Sequence, residues 1–199
     1  MKYNTFRQQL KIPIFTPQNL RNLGLDLYPN ELTRWIKQGY LTKLRGGLYA
    51  LTDTLPTLTP AMIAPYLVSP SYISLSTALS HHGIIPEAVF STTSATSKGT
   101  RSYHLDQGNF TYQHLPPRLF FGYTQIPSSP LPYLLAEPEK ALLDYFYLTP
   151  NIKNTKDLVE LRLNLNSLDW PKLKTYASFF KHARLNYLLK LLETSHANA

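Results

Sequence analysis

Residues 28–51, YPNELTRWIKQGYLTKLRGGLYAL, restrict the fold more than any other stretch of the chain. Pro29 suits the first turn of a helix, where its missing N–H would find no partner in any case. Leu32, Trp35 and Ile36 then recur at i, i+3 and i+4, which predicts a helix over 29–38 with one apolar face. Asn30, Thr33, Arg34 and Lys37 fall on the other sides and carry hydrogen-bond donors. Gly39 supplies the left-handed residue that ends many helices. Residues 40–44 and 48–51 read as strands joined by Arg45-Gly46-Gly47, because adjacent glycines permit the positive φ of a tight hairpin. A donor-rich helix followed by a basic-tipped hairpin predicts the recognition helix and wing of a winged helix-turn-helix. Helix-turn-helix modules set that helix in the major groove of DNA. An amphipathic helix beside a hairpin, its polar face merely solvated, gives the same pattern, so the rest of the chain has to decide.

Charge bears on the choice. The 199 residues carry a net charge of +8 and a pI of about 9.6, which makes polyanions plausible partners. Residues 1–52 hold eight Lys/Arg against Asp26 and Glu31, a net of +6. Residues 53–150 sum to −2 and residues 151–199 to +4. The excess therefore sits where the helix and hairpin are, as expected if Lys and Arg neutralise phosphates. A hydrophobic fraction of 43% is enough for a packed core. The chain has no cysteine, which excludes disulfides and thiolate chemistry. The stretch MKYNTFRQQLKIPIF has no continuous apolar segment, so no signal peptide is expected. No apolar run approaches the roughly 20 residues that span a bilayer, and a cytoplasmic location is expected.

Taken in order, residues 4–10 can form a first helix on Phe6 and Leu10. Thr16-Pro17 is a cap and first-turn proline opening a second helix to about residue 23. Together with 28–51 this predicts a winged helix-turn-helix domain over 1–52. Gln18, Asn19 and Arg21 on the second helix are candidate phosphate contacts, because that helix crosses the backbone. Asn30, Thr33 and Arg34 are candidate base contacts, Arg34 first, since a bidentate Arg–guanine pair is the commonest specific contact. Lys37, Lys43 and Arg45 are candidates for phosphates or the minor groove. Residues 53–60, DTLPTLTP, with the flanking Thr52, lack periodicity and predict a linker. Residues 61–199 predict a second, α+β domain. It has helices near 61–67 and 75–82, and strands at 89–93, 102–105, 110–115 and 119–126 in a small, mainly antiparallel sheet. Further helices follow at 134–148, 154–165, 169–181 and 184–194.

Three blocks, RWIKQGYLTKLRGGLYAL, PSYISLSTALSHHGIIPE and LAEPEKALLDYFYL, resemble in this order the AbiE-type antitoxins of type IV toxin–antitoxin systems, known from abortive infection. The resemblance covers roughly residues 10–165. The wing, Arg45-Gly46-Gly47-Leu48-Tyr49, carries one glycine more than the family's usual pattern. The resemblance implies a transcriptional repressor that binds inverted repeats of double-stranded DNA in its own promoter, as a monomer or weak dimer. It also implies antagonism of a nucleotidyltransferase-like toxin through the second domain, without a stable complex. The family includes orphan regulators with no toxin neighbour.

Little in the sequence asks for catalysis, a cofactor or a metal. His81 and His82 diverge by about 100° on a helix, so they do not readily share one ion. His104 and His114 could face each other across a hairpin, but no HExxH accompanies them. Glu137, Glu139 and Asp144 are explained by capping, the helix dipole and surface exposure. Gly46-Gly47 lacks the Gly-Lys-Ser/Thr of a phosphate loop, and Ser74 and Ser76 lie in no nucleophile elbow. The chain is expected not to be an enzyme. Fourteen tyrosines and nine phenylalanines leave a protein-interaction module as a further possibility, marked by exposed aromatics.

Overall fold

A computed structural model describes residues 2–197. The architecture is α+β, with a three-stranded and a six-stranded sheet. The N-terminal part contains α1 (Tyr3–Gln9), β1 (Ile14–Phe15), α2 (Pro17–Asn22), α3 (Pro29–Lys37), β2 (Leu41–Arg45) and β3 (Leu48–Leu51). Thr16 caps α2 as expected: its Oγ1 accepts from Asn19 N at 3.1 Å, and Asn19 Oδ1 accepts from Thr16 N at 2.9 Å. Gly39 ends α3 at a φ of +74°, and Gly47 turns the hairpin at +73°; Gly46 needs no positive φ.

Strand β1 is absent from the sequence-based expectation. Two apolar residues between Pro13 and the Thr16 cap are too few to show a period, yet Ile14 pairs with Ala50 and Phe15 with Tyr49. The pleat sends neighbouring side chains to opposite faces. Phe15, Leu41 and Leu51 therefore join Phe6, Leu20, Leu32 and Trp35 in a helical core. Ile14, Leu44, Leu48 and Ala50 join the core of the rest of the molecule. The small sheet is thus buried on both faces and belongs to two cores at once. Residues 53–60 pack as well: Leu55–Thr57 forms a 3-10 turn and Leu58 is buried.

The second part begins with α4 (Pro60–Leu67), β4 (Ser71–Ile73) and α5 (Leu75–His81). Strands β5 (Ser91–Thr96), β6 (Arg101–Leu105), β7 (Gly108–His114), β8 (Tyr123–Ile126) and β9 (Tyr133–Ala136) follow, then α6 (Pro138–Leu148), α7 (Thr155–Glu160), α8 (Trp170–Phe180) and α9 (Ala183–Ala197). The sheet order is β6-β7-β5-β4-β9-β8. It is mixed: β4–β5, β6–β7 and β8–β9 are antiparallel, the majority that was expected, whereas β4–β9 and β5–β7 are parallel. Both parallel pairs need crossovers, which no local hairpin signal in the sequence reveals. Part of the expected strand 119–126 is instead a 3-10 turn, Pro117–Leu119. The register puts Ile73, Ser94 and Tyr112 on one face, toward α4. Tyr72 points to the other, toward α6.

Candidate nucleic-acid interface

The α3 helix displays the polar face that its spacing implies. Leu32 and Trp35 are buried, with Trp35 against Phe6 and Tyr3 at centroid distances of 5.0 and 5.4 Å. Asn30, Thr33, Arg34 and Lys37 are exposed. With Gln38 they line one shallow hollow of about 340 Å³. Thr33 Oγ1 donates back to Pro29 O at 3.0 Å, so its oxygen is left to accept. Glu31 accepts from Tyr28 N at 3.1 Å and holds the first turn. Among the described residues no carboxylate lies within ion-pairing distance of Arg34, Lys37 or Lys43. All three cations are exposed to solvent.

The remaining candidates divide. Gln18 and Arg21 are exposed on α2 but linked: Arg21 donates to Gln18 Oε1 at 2.6 Å, and Gln18 Nε2 to Asn22 Oδ1 at 2.9 Å. The Asn19 oxygen is consumed by the cap, leaving its amide nitrogen for other partners. Lys43 is exposed opposite Tyr49, on the sheet face of the helical core. Arg45 departs from an outward-pointing wing tip. A register shift between Lys43 and Arg45 sets it opposite Leu48 on the other face. It is half-buried there, with Nε enclosed and unbonded. Its guanidinium is near enough to Tyr112 to oppose the upward push of burial on that phenol. The bulge could not be read from two glycines.

The histidines and acids also correct expectation. His104 pairs with Asn109 and His114 with Thr96, so the two do not face each other. His82 Nε2 lies 2.8 Å from Ala136 O. Asp144 and Glu139 are buried rather than surface groups. Glu139 accepts from Asp169 N at 2.9 Å and lies 3.3 Å from Lys172 Nζ, tying α6 to the start of α8. Lys140 and Asp144 form an ion pair with both side chains wholly enclosed. Tyr72 Oη and Ser74 Oγ each donate to Asp144 Oδ2 at 2.8 Å, and Lys140 Nζ donates to Tyr72 Oη at 2.8 Å. The ammonium also stands 5.1 Å from the ring centroids of Phe121 and Phe180, a cation–π distance. Burial pushes the Asp144 carboxyl up and the Lys140 ammonium down, and their mutual attraction opposes both shifts. Tyr72, Ser74, Lys140 and Asp144 are all buried, so these polar groups satisfy one another within the protein. The i, i+4 spacing of Lys140 and Asp144 was the cluster's only trace in the sequence.

Among the described residues no group of three or more His, Asp or Glu is placed to hold a metal. None of the described helices is long and apolar enough to cross a membrane. Phe90 is 90% exposed at the rim of a hollow lined by Ile85, Val89, Tyr145 and Leu161. No family model matches the chain, and no curated protein matches it.

Proposed function

We propose that this protein is a sequence-specific DNA-binding repressor, with a winged helix-turn-helix over residues 1–52 and α3 as its recognition helix. The observation that carries this reading is the exposed, ion-pair-free face of Asn30, Thr33, Arg34 and Lys37 over a buried Leu32–Trp35 face. Arg34 reads a base, Asn30 and Thr33 assist, and Lys37 and Lys43 hold phosphates. Gln18, Asn19 and Arg21 are secondary phosphate contacts. Arg45 is assigned to the inner side of the hairpin instead of a free tip. The test is fluorescence anisotropy with overlapping fragments of the gene's own upstream DNA; a specific site binds ~10³-fold or more tighter than scrambled duplex. Sequence-blind binding would overturn the proposal.

The resemblance to AbiE-type antitoxins extends it: the protein acts in the cytoplasm, represses its own operon and counters a nucleotidyltransferase-like toxin. Co-expression should restore growth to cells making the neighbouring toxin; unrelieved arrest would limit the role to regulation. Exposed Phe90 favours a second reading, direct engagement of a protein partner by residues 61–199.

A further inference from the structure

Gln38, at the end of α3, carries the chemistry of a base reader and is committed to nothing else in the chain. It is exposed and lines the same hollow as Asn30, Thr33, Arg34 and Lys37. Among the described residues its side-chain amide has no hydrogen-bond partner. Gln18 on α2 is the contrast: its oxygen accepts from Arg21 and its nitrogen donates to Asn22. Both ends of the Gln18 amide are in use, whereas both ends of the Gln38 amide are open.

The backbone fixes where Gln38 stands. Its N–H donates to Arg34 O at 3.0 Å, the Gly39 N–H to Ile36 O at 3.0 Å and the Tyr40 N–H to Trp35 O at 2.9 Å. The Tyr40 ring stacks on Tyr3 at a centroid distance of 4.4 Å, which ties the end of α3 to α1. Asn30, Arg34 and Gln38 recur every four residues, a spacing that sets side chains in a row along one side of a helix. The row reads amide, guanidinium, amide. Four residues rise about 6 Å along the helix, close to two base-pair steps of about 3.4 Å. A carboxamide holds an acceptor and two donors in one plane. In the major groove adenine presents the matching pair, N7 as acceptor beside N6 as donor. Lys37, the preceding residue, offers donors alone and suits a phosphate as well as a base.

We propose that Gln38 is a specificity-determining residue that reads an adenine within about two base pairs of the guanine read by Arg34. This rests on the DNA-binding reading above. Gln38 is uncharged, so its contact releases no counterions and leaves the salt dependence of binding unchanged. It raises affinity for one sequence over others, whereas a phosphate contact raises affinity for all alike.

The test uses the full chain and the variants Gln38→Ala, Gln38→Glu and Arg34→Ala. The probes are the best-bound upstream fragment, its single-base-pair variants and a scrambled duplex of equal length. The Gln38 side chain is exposed, and a thermal melt matching wild type confirms that the variants fold. Gln38→Ala should bind the parent fragment about 5- to 150-fold more weakly and lose preference at one A·T pair, with the salt slope of wild type. That pair should lie within about two base pairs of the position that Arg34→Ala relaxes. Gln38→Glu should prefer cytosine there, because a carboxylate accepts from cytosine N4. A Gln38→Ala protein that keeps the wild-type preference at every position, or weakens all probes alike, overturns the proposal while leaving Arg34 as a base reader. A wild-type protein that binds the scrambled duplex as tightly as the fragment overturns base reading by α3 altogether, and the role of Gln38 with it.

Discussion

Helices α3 and α6 begin alike and end in opposite surroundings. Each opens with proline at its first position, Pro29 or Pro138, and carries both acidic and basic side chains. In α3 only Leu32 and Trp35 are buried, and the polar groups face outward. In α6 Glu139, Lys140 and Asp144 are buried together with Ala141, Leu142, Leu143 and Phe146. The difference lies in the number of neighbours. The α3 helix rests against one small core and keeps an open side. The α6 helix is enclosed by α5, α8, α9 and β9, so its polar groups must find partners within the protein. Free polar groups on α3 are available to a ligand, whereas satisfied polar groups on α6 specify packing.

The sharpest way to break this contrast is to remove one partner from α6. Lys140→Met strands an enclosed carboxylate and should cost about 3–5 kcal/mol of stability; adding Asp144→Leu should recover much of it. Denaturant titration checks both, and a single variant as stable as wild type would deny the pair its role. The same variant has a pH signature. Without the ammonium, burial leaves the Asp144 carboxyl above its ordinary range in the folded state. Its proton then favours folding at low pH, and that stability is lost as pH rises from the unfolded pKa through the folded one. Lys140→Met should therefore gain stability, relative to wild type, on acidification from pH 7 toward pH 5.

The two faces of the small sheet serve different cores. Leu41 faces the helical core and Leu48 the larger one. Either change to Ala should cost about 2–5 kcal/mol. If the sheet joins the cores into one cooperative unit, calorimetry shows a single lowered transition in both cases. Two transitions, with Leu41→Ala moving only one, would separate the units. A smaller effect is expected on the open side of α3: Lys37→Ala should flatten the salt slope of DNA binding by about 0.9 for every sequence. An unchanged slope would remove Lys37 from the phosphates.

Local patterns were legible where the physics is local. The Thr16 cap, the Leu32–Trp35 face and the Gly39 stop follow from neighbours within one or two turns. Features fixed by distant residues were not. Strand β1 exists because β3 offers Ile14 and Phe15 a ladder. Arg45 turns inward because of a register shift and a second core that arrives after residue 58. Asp144 looked like a surface acid because Tyr72 and Ser74, about 70 positions away, supply its hydrogen bonds. The parallel pairings of β4 and β5 were hidden for the same reason.

The central claim is that α3 reads DNA through Arg34. The measurement that tests it most directly is binding of wild type and Arg34→Ala to the same operator and to single-base variants of it, at fixed salt. Loss of a bidentate base contact should cost about 1–3 kcal/mol on the operator and relax preference at one position, with the melting temperature unchanged. An Arg34→Ala protein that binds the operator as tightly and as selectively as wild type would contradict the account.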